Sequence, residues 1–506
     1  MSSQTFSGAR SVPMDRNLAT KFLNQLTMVL LIGTLAGCPS GGDSPANDNG
    51  ILTFEKTAYV VAEDAMYVEV IIVRQGGKSG NISVEFDTTP DSATQDIDYE
   101  PVSTTLTWAD GEDDAAVVRI PIRADLESEP DETFQVVLSN PTGGAVFDND
   151  RASVTIQDRT CSDVSEDITE DVTYPAGCYH VTRMIQASAT ATMNPGATFL
   201  FDPEAGFSFS QSGSIQAVGN GDLPVLFTGG TRQPGAWSGI ELFDTNTQQS
   251  HLDHVVVEYA GDAEDRCGLR IEGTTQMVLV DSRVQKSAGY GVCMEHDTEV
   301  TFQRNVLTQN ALGAAWVEAN AVGQLDEAST YSGNGNDVVF VVTNTSYVIE
   351  DQNWHKIDAD YLIEGRLWPQ AHLTIEAGAR LVFQEGGKLY LETGAALTAL
   401  GTQDDPVVFT GLESTPGYWQ GVELFDTDSQ DNRFDHVVVE YGGDEGADVD
   451  ANVVVAGTSR LEITGSILCN SAGWAVLIGP QATINGDAQD SNSFSGNALG
   501  DIHRQQ

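Results

Sequence analysis

Cationic side chains are scarce in this sequence. It has 24 Lys and Arg residues against 74 Asp and Glu residues, and its formal net charge at pH 7 is −50. Proteins bind nucleic acid by placing Lys and Arg on phosphates and releasing counterions. The composition therefore excludes nucleic acid as a partner, and it disfavours polyuronate substrates for the same reason. An acidic surface of this kind suits cations and solubility at high salt.

A long apolar run is also missing. The apolar stretch Leu26–Ala36 has eleven residues, whereas a helix that spans a membrane needs about 20. The stretch follows Arg16 and Lys21. A basic segment before a short apolar core is typical of an export signal.

The end of this signal resembles a bacterial lipobox. Residues 35–38 read LAGC, and the resemblance implies that Cys38 is acylated and becomes the first mature residue. Pro39 stands where inner-membrane lipoproteins carry Asp, which favours the outer membrane, facing the periplasm or the cell surface. We therefore predict a signal peptide at 1–38 and a flexible linker at 39–50. The alternative is a signal cleaved elsewhere, with an incidental Cys.

No helical hydrophobic period is sustained, and 50 glycines are too many for a helical solenoid. Short runs rich in β-branched and aromatic residues alternate instead with Gly, Asn and Asp, as in strands and turns. Much of the chain is one unit written twice, since WSGIELFDT at 237–245 recurs as WQGVELFDT at 419–427, an offset of 182. The second copy lacks about 21 residues around Phe302 to Trp316, which is about one coil of a solenoid.

These repeats resemble the right-handed parallel β-helix domains of bacterial extracellular proteins. The resemblance rests on segments such as NPGATFLF at 194–201 and DHVVVEYAG at 253–261. It implies a β-helix with a first half at 161–343 and a second half at 344–506. It does not imply one function, because such domains include polysaccharide lyases, hydrolases, adhesins and scaffolds.

Residues 51–160 have a different pattern. Apolar and polar residues alternate through about seven short runs, which predicts an antiparallel β-sandwich of immunoglobulin-like type. The motifs VAEDA at 61–65, QDIDY at 95–99 and LTWADGE at 106–112 resemble those of a Calx-β domain. The predicted fold class is therefore all-β, with a Calx-β-type sandwich followed by a parallel β-helix.

The Calx-β resemblance implies calcium binding. Calcium takes six to eight oxygen ligands, mostly carboxylates. The family's ligand pattern falls on five acidic residues of this chain, with Glu132 as a weaker candidate. The five are Glu63, Asp98, Asp125, Glu129 and Asp158. Runs of adjacent Asp found in calcium-sensing members are absent here, which implies fewer ions and weaker affinity. The alternative is that the acidic loop serves folding or solubility alone.

The six cysteines allow two bridges in an exported protein. Cys161 and Cys178 flank the entrance to the β-helix, and we predict that they pair. Cys267 and Cys293 are 26 residues apart, about one coil, and we predict a bridge between adjacent coils. Both are missing together from the second copy, where Ala451 and Leu477 stand in their places. Cys469 is left over, and we interpret it as a buried thiol rather than a nucleophile.

Duplicated aromatic and acid–base residues are candidate functional groups of the β-helix. Trp237 and Trp419 can stack on sugar rings or pack against a neighbouring coil, and packing is the commoner role. The Asp253–His254 dipeptide, repeated at 435–436, invites a general-base interpretation. Adjacent side chains on a strand point to opposite faces, so we favour an architectural role.

Four acidic residues follow the repeated VVVEY strands. They can accept a cation or sugar hydroxyls, but turn carboxylates that face water are the simpler interpretation. They are Glu258, Asp262, Glu440 and Asp444.

These features predict a non-catalytic, calcium-binding lipoprotein of the outer membrane. Its β-helix would be a stiff arm or adhesion surface for an extracellular polysaccharide or a surface protein. One alternative is a carbohydrate-active enzyme, a lyase or hydrolase with its cleft on a β-helix face. A second alternative is a purely structural spacer.

Overall fold

A computed structural model describes residues 48–125, 129–158, 161–245, 249–261, 267–295, 297–343, 347–443 and 450–506. Cys38 and the rest of the predicted signal lie outside these residues. Within them, no helix has the length and hydrophobicity needed to cross a membrane.

The N-terminal part is a two-layered β-sandwich. Its strands are β1 (Ile51–Phe54), β2 (Ala58–Ala62), β3 (Tyr67–Gln75), β4 (Ile82–Pro90), β5 (Ser103–Trp108), β6 (Ala116–Pro121), β7 (Glu132–Ser139), β8 (Val146–Asn149) and β9 (Arg151–Gln157). One sheet has the order β6-β3-β1-β8 and the other β2-β9-β7-β4-β5. Most pairs are antiparallel, whereas β1 and β2 pair in parallel with β8 and β9.

The alternation predicted from the sequence creates the sandwich core. Along β4, Ile82, Val84 and Phe86 are buried, while the residues between them face outward. The sequence predicted about seven strands, whereas the structure has nine among the described residues of this domain. The chain leaves one sheet at Phe54 and enters the other at Ala58.

The first half of the β-helix consists of short strands and one 3-10 helix. They are β10 (Ser162–Val164), β11 (Val172–Tyr174), β12 (Gly177–Val181), β13 (Met184–Ala187), β14 (Thr190–Met193), β15 (Ala197–Phe201), β16 (Gly206–Ser210), β17 (Ser214–Val218), β18 (Val225–Gly229), β19 (Ile240–Phe243), β20 (Ser250–Asp253), β21 (Val255–Glu258), β22 (Leu269–Glu272), β23 (Gln276–Val280), β24 (Arg283–Gln285), β25 (Tyr290–Met294), β26 (Glu299–Gln303), β27 (Val306–Thr308), β28 (Gly313–Glu318), the 3-10 helix η1 (Ala319–Gln324) and β29 (Val338–Val342).

The second half continues in the same way. Its elements are β30 (Gln352–Trp354), β31 (Asp360–Glu364), β32 (Arg366–Leu367), β33 (His372–Glu376), β34 (Arg380–Phe383), β35 (Lys388–Leu391), β36 (Ala396–Leu400), β37 (Val407–Gly411), β38 (Val422–Phe425), β39 (Arg433–Asp435), β40 (Val437–Glu440), β41 (Ala451–Ala456), β42 (Arg460–Thr464), β43 (Ile467–Cys469), β44 (Trp474–Ile478), β45 (Thr483–Ile484), the helix α1 (Ala488–Ser491), β46 (Ser493–Ser495) and β47 (Gly500–Arg504).

Successive coils stack through parallel strands, as predicted. Around the part of the first half that has no counterpart in the second, paired residues of adjacent coils are 23 positions apart, as Gln276 and Glu299 are. This spacing explains why the repeat can lose about 21 residues as one coil. Aromatic side chains fill the interior, and Phe199 stacks on Phe227 of the next coil with ring centroids 5.2 Å apart.

The two halves are rotated by one side of the β-helix relative to each other. Equivalent strands β18 and β37 lie in different sheets: β18 belongs to a sheet of seven strands, β37 to one of 13. The sheet of 13 strands includes β19 of the first half. The equivalent strand of the second half, β38, belongs to a sheet of six strands. Duplicated residues therefore project from different sides of the molecule.

Several corners between strands depend on left-handed residues. His254, Asp281 and Arg304 have φ values of 51°, 48° and 53° at one corner of successive coils. Buried polar side chains satisfy the backbone beside this corner, since Asn305 Oδ1 accepts from the Ser282 N–H at 3.1 Å. The corner is built from backbone geometry and buried hydrogen bonds.

The sandwich contacts the β-helix directly. Tyr67 Oη donates to the carbonyl of Asp222 at 2.9 Å, and Arg119 pairs with the Asp222 carboxylate at 2.8 Å. A second contact joins Arg232 of the β-helix to the carbonyl of Ala124 at 2.9 Å. Ala124 immediately precedes Asp125, one of the predicted calcium ligands.

Candidate metal centre

Packing between two aromatic rings brings the acidic residues of the sandwich together. Asp98 lies in a turn in which Asp96 has a φ of 65°. The next residue, Tyr99, is fully buried and stacks on Phe134 of β7 with centroids 4.0 Å apart. Phe134 lies two positions after Glu132, on the same face of β7. The stacked rings therefore hold the Asp98 turn against the start of β7.

The resulting cluster has three carboxylates. Asp98, Glu129 and Glu132 each present an oxygen, and these oxygens lie within 4.8 Å of one another. Asp98 is oriented by the N–H of Thr94, which donates to its Oδ2 at 2.6 Å. Burial, a hydrogen bond with Asp98 and the nearby acidic charges raise the pKa of Glu132 to about 7.

The other predicted ligands surround this cluster to different degrees. The Asp125 N–H donates to Glu63 Oε1 at 3.0 Å, and Asp125 adds to the charge that raises the pKa of Glu132. Asp158 follows the end of β9, next to Gln157, whose carbonyl accepts from the Glu63 N–H at 2.9 Å. No described contact joins Asp158 to the three clustered carboxylates. Residues 126–128 of the acidic loop lie outside the described residues.

Glu132 is central to the cluster, although the sequence ranked it as a weaker candidate. The signal that identifies it is the alternation of β7. Phe134, Val136 and Leu138 point inward, and the same period extended back by two residues points Glu132 inward as well. An inward carboxylate at a strand end requires a partner or a cation.

The donor set fits calcium. All of the clustered donors are carboxylate oxygens, which calcium prefers. Burial is the main cause of the raised pKa of Glu132, and repulsion from the neighbouring carboxylates adds to it. A bound cation would remove that repulsion, and Asp98, Glu129 and Glu132 would hold it.

Residues 45–160 match the family described as Calx-beta domain. The sandwich is a Calx-beta domain. The adhesion G-protein coupled receptor V1 of Danio rerio is 30% identical over 146 residues, covering 27% of this chain and 2% of the receptor. The chain thus spans a very small part of that relative.

Solved structures are similar in parts. The apo-form Calx CBD1 domain is 32% identical and covers 21% of this chain and 96% of its own, with a TM-score of 0.21. The catalytic domain of a GH87 alpha-1,3-glucanase is 8% identical and covers 90% of this chain and 93% of its own, with a TM-score of 0.26.

Beyond the Calx-beta domain, the duplicated tryptophans are structural. Trp237 and Trp419 are 1% and 0% exposed. Their rings stack on Phe201 and Phe383 with centroids 3.9 and 4.4 Å apart. Packing is therefore confirmed, and stacking on a sugar is excluded by burial.

The Asp253–His254 pair is part of a corner. We expected these two side chains to diverge, and this was wrong. Because His254 has a left-handed backbone, its Nδ1 lies 2.6 Å from Asp253 Oδ1. The repeated pair, Asp435 and His436, has the same geometry at 2.8 Å.

The two glutamates that end the VVVE strands β21 and β40 are not simple water-facing carboxylates. Glu258 is 6% exposed and accepts from Thr228 Oγ1 at 3.1 Å. Lys286 lies 3.4 Å from its other oxygen. Glu440 accepts from Thr410 Oγ1 at 3.1 Å. Asp262 and Asp444 lie outside the described residues.

The structure contains both predicted disulfides. Cys161 pairs with Cys178 and Cys267 pairs with Cys293, with Cα atoms 4.6 and 5.8 Å apart. Cys469 is a half-buried thiol. Burial, together with Glu440, raises its pKa to about 11, so the thiolate needed for nucleophilic attack is disfavoured.

Proposed function

We propose that this protein is an outer-membrane lipoprotein whose Calx-beta domain binds calcium and whose β-helix is a non-catalytic, ligand-binding arm. The carboxylate cluster is the observation that carries the proposal. Lipid anchoring rests on the LAGC sequence that ends at Cys38. Adhesion to a polysaccharide or a surface protein rests on the long parallel sheets of the β-helix.

Calcium, when bound, supplies the positive charge that offsets the clustered carboxylates. The chain contributes a site that is largely formed beforehand. Thr94 orients Asp98, and the stacked Tyr99 and Phe134 hold the turn and the strand together. The described ligands are few, so we expect a dissociation constant on the order of 10⁻⁴–10⁻³ M, as in extracellular calcium modules.

The site is connected to the β-helix through the loop that carries Asp125. The carbonyl of Ala124 accepts from Arg232, and Arg232 lies 4.0 Å from the buried Glu258. Fixing Asp125 in a calcium site would therefore restrict the loop that contacts the arm. We expect calcium to stiffen the junction between the two parts.

The proposal is tested by calorimetric titration of the chain with calcium. Glu132→Gln keeps the shape of the side chain but removes a charged ligand, and we expect it to abolish or strongly weaken binding. Glu55→Gln is the control, because Glu55 is an exposed carboxylate of the same domain. Equal calcium affinity in the wild type and Glu132→Gln would refute the site.

The raised pKa of Glu132 also predicts the pH dependence. Near its pKa of about 7, Glu132 must lose a proton to bind calcium, so affinity rises between about pH 6 and pH 8. Without calcium, the folded protein retains a proton that the unfolded chain releases near pH 4.5. Stability therefore falls as the pH rises from about 4.5 to about 7. The pH effect on stability should disappear in Glu132→Gln.

Protease sensitivity tests the stiffened junction. We expect calcium to slow cleavage around Asp158 to Cys161 and to raise the melting temperature. If calcium binds but changes neither the cleavage rate nor the melting temperature, the metal site stands and the stiffening of the junction is refuted.

A further inference from the structure

A groove lies where the two halves of the β-helix meet. It has a volume of about 700 Å³ and is lined by parts of β26, η1 and the segment 349–353. This volume is within the range of small-molecule sites, about 300–1,000 Å³. We call it the junction groove.

The junction groove is formed before any ligand arrives. Gln324 accepts from the Val300 N–H at 2.5 Å and donates to the Thr298 carbonyl at 2.8 Å. Gln352 donates to the Asn320 carbonyl at 2.5 Å. These amides pin η1 to the coils on either side, so little conformational entropy is lost when a ligand binds.

The polar surface of the groove excludes anionic ligands. Four carboxylates line it, from Asp297, Glu299, Glu350 and Asp351, and its described lining residues include no Lys or Arg. Phosphates, sulfates and uronates would be repelled.

The arrangement of these carboxylates also disfavours a metal ion. Among the described residues, two groups of three metal-type ligands lie within 4.8 Å of one another, and neither is in the groove. The groove carboxylates come from two segments of the chain, with Asp297 and Glu299 at the start of β26 and Glu350 and Asp351 just before β30. Separate acceptors are suited to the hydroxyl groups of a neutral ligand.

An apolar edge completes the site. Ile349 lines the groove and is 53% exposed. Apolar surface next to polar acceptors matches the C–H and hydroxyl faces of a sugar.

We propose that the junction groove binds a neutral oligosaccharide. This inference rests on the proposed ligand-binding role of the β-helix, and it names the class of ligand. A second groove of about 300 Å³ shares Asp351, Gln352 and Asn353 with the first and extends to His372 and Thr374. The two grooves share these three lining residues, and on this basis we take the ligand to be a chain of several sugars rather than a single one.

Fragments of neutral polysaccharides (dextran, cellulose, mannan and galactan) provide the probe, with polygalacturonate fragments as the charged comparison. Binding to the full chain is measured on a glycan array and then by calorimetry. Thr301→Tyr fills the groove from an exposed position on β26. Glu350→Ala removes an exposed carboxylate acceptor without adding bulk. Thr483→Tyr, on an exposed position of β45, is the matched control.

We expect one or more neutral fragments to bind, and Thr301→Tyr to weaken binding at least about tenfold. Glu350→Ala should weaken it less, and Thr483→Tyr should leave it unchanged. Binding of polygalacturonate alone, no binding of any neutral fragment, or equal loss in Thr483→Tyr would overturn the proposal. Repeating the assay with Glu132→Gln separates the two proposals, because that variant should lose calcium but keep the sugar.

Discussion

Trp237 in the first half of the β-helix and Trp419 in the second have the same surroundings. Each indole stacks on a Phe of the previous coil. Each Nε1 donates at 2.8 Å to the carbonyl of the glutamate that ends the following strand, Glu258 of β21 or Glu440 of β40. The duplication has therefore preserved the interior and its hydrogen bonds, even though the two tryptophans lie on different sides of the molecule.

The outer surfaces of the two halves have diverged. The Cys267–Cys293 bridge of the first half is replaced by Ala451 and Leu477, which form a small apolar cluster with Val454. A covalent link between adjacent coils has become an apolar contact at the same place. The two copies thus share the buried packing that each coil needs to fold. They differ in the contact that joins adjacent coils.

A corner residue shows the same rule. Asp281 pairs with Arg304 in the first half, and its equivalent in the second half is Gly465. Both adopt a left-handed backbone, with φ values of 48° and 60°. The conformation is retained although the side chain is not, which indicates that the corner geometry is the shared requirement.

The substitutions with the largest expected loss of stability are those that remove the indoles shared by the two halves. We expect Trp237→Ala and Trp419→Ala to destabilise their own halves by about 3–5 kcal/mol each, because a fully buried ring and a hydrogen bond are lost. Hydrogen exchange, which reports each coil separately, measures the effect. Trp→Phe at either position should cost less. Tolerance of one Ala variant but not the other would show that the two interiors are not equivalent.

Removal of the bridge should have the next largest effect, and only in the first half. Cys267→Ala with Cys293→Ala should cost about 2–4 kcal/mol, measured as loss of hydrogen-exchange protection in β22 and β25. Cys267→Ala with Cys293→Leu copies the second half and should recover part of the loss. If this copy is no more stable than the double Ala variant, the apolar cluster is not a replacement for the bridge.

Much of the architecture was predictable because it depends on local and repeated patterns. The sandwich strands followed from alternation, the duplication from a recurring offset, and the Cys267–Cys293 bridge from a paired absence. The Cys161–Cys178 bridge followed from the position of the two residues at the entrance to the β-helix. The rotation between the halves was not predictable, because it is visible only in the sheet that each strand joins, through pairings distant in sequence. The close Asp253–His254 contact was missed because strand alternation does not apply at a left-handed residue.

A smaller effect should distinguish the two glutamates. Glu258 contacts Lys286 and lies near Arg232, whereas no Lys or Arg contact to Glu440 is found among the described residues. Glu258→Gln leaves those cations without their partner and should cost about 1–3 kcal/mol. Glu440→Gln should cost less than half as much. Melting temperatures of the two variants give the comparison, and equal losses would contradict it.

The smallest expected effect is on the reactivity of Cys469. Its Sγ lies 3.8 Å from Glu440, and its equivalent in the first half is Gln285, which donates to Glu258. Burial and Glu440 raise the thiol pKa to about 11, so little thiolate is present near neutral pH. Glu440→Gln removes the charge, lowers the pKa of the Cys469 thiol and should speed its alkylation by iodoacetamide a few-fold at pH about 8.

Gln285→Cys places a thiol beside Glu258 and Lys286, and we expect it to react faster than Cys469 because Lys286 favours the thiolate. A Gln285→Cys thiol as slow as Cys469 would mean that burial alone, rather than the local charges that differ between the halves, determines the reactivity at this position.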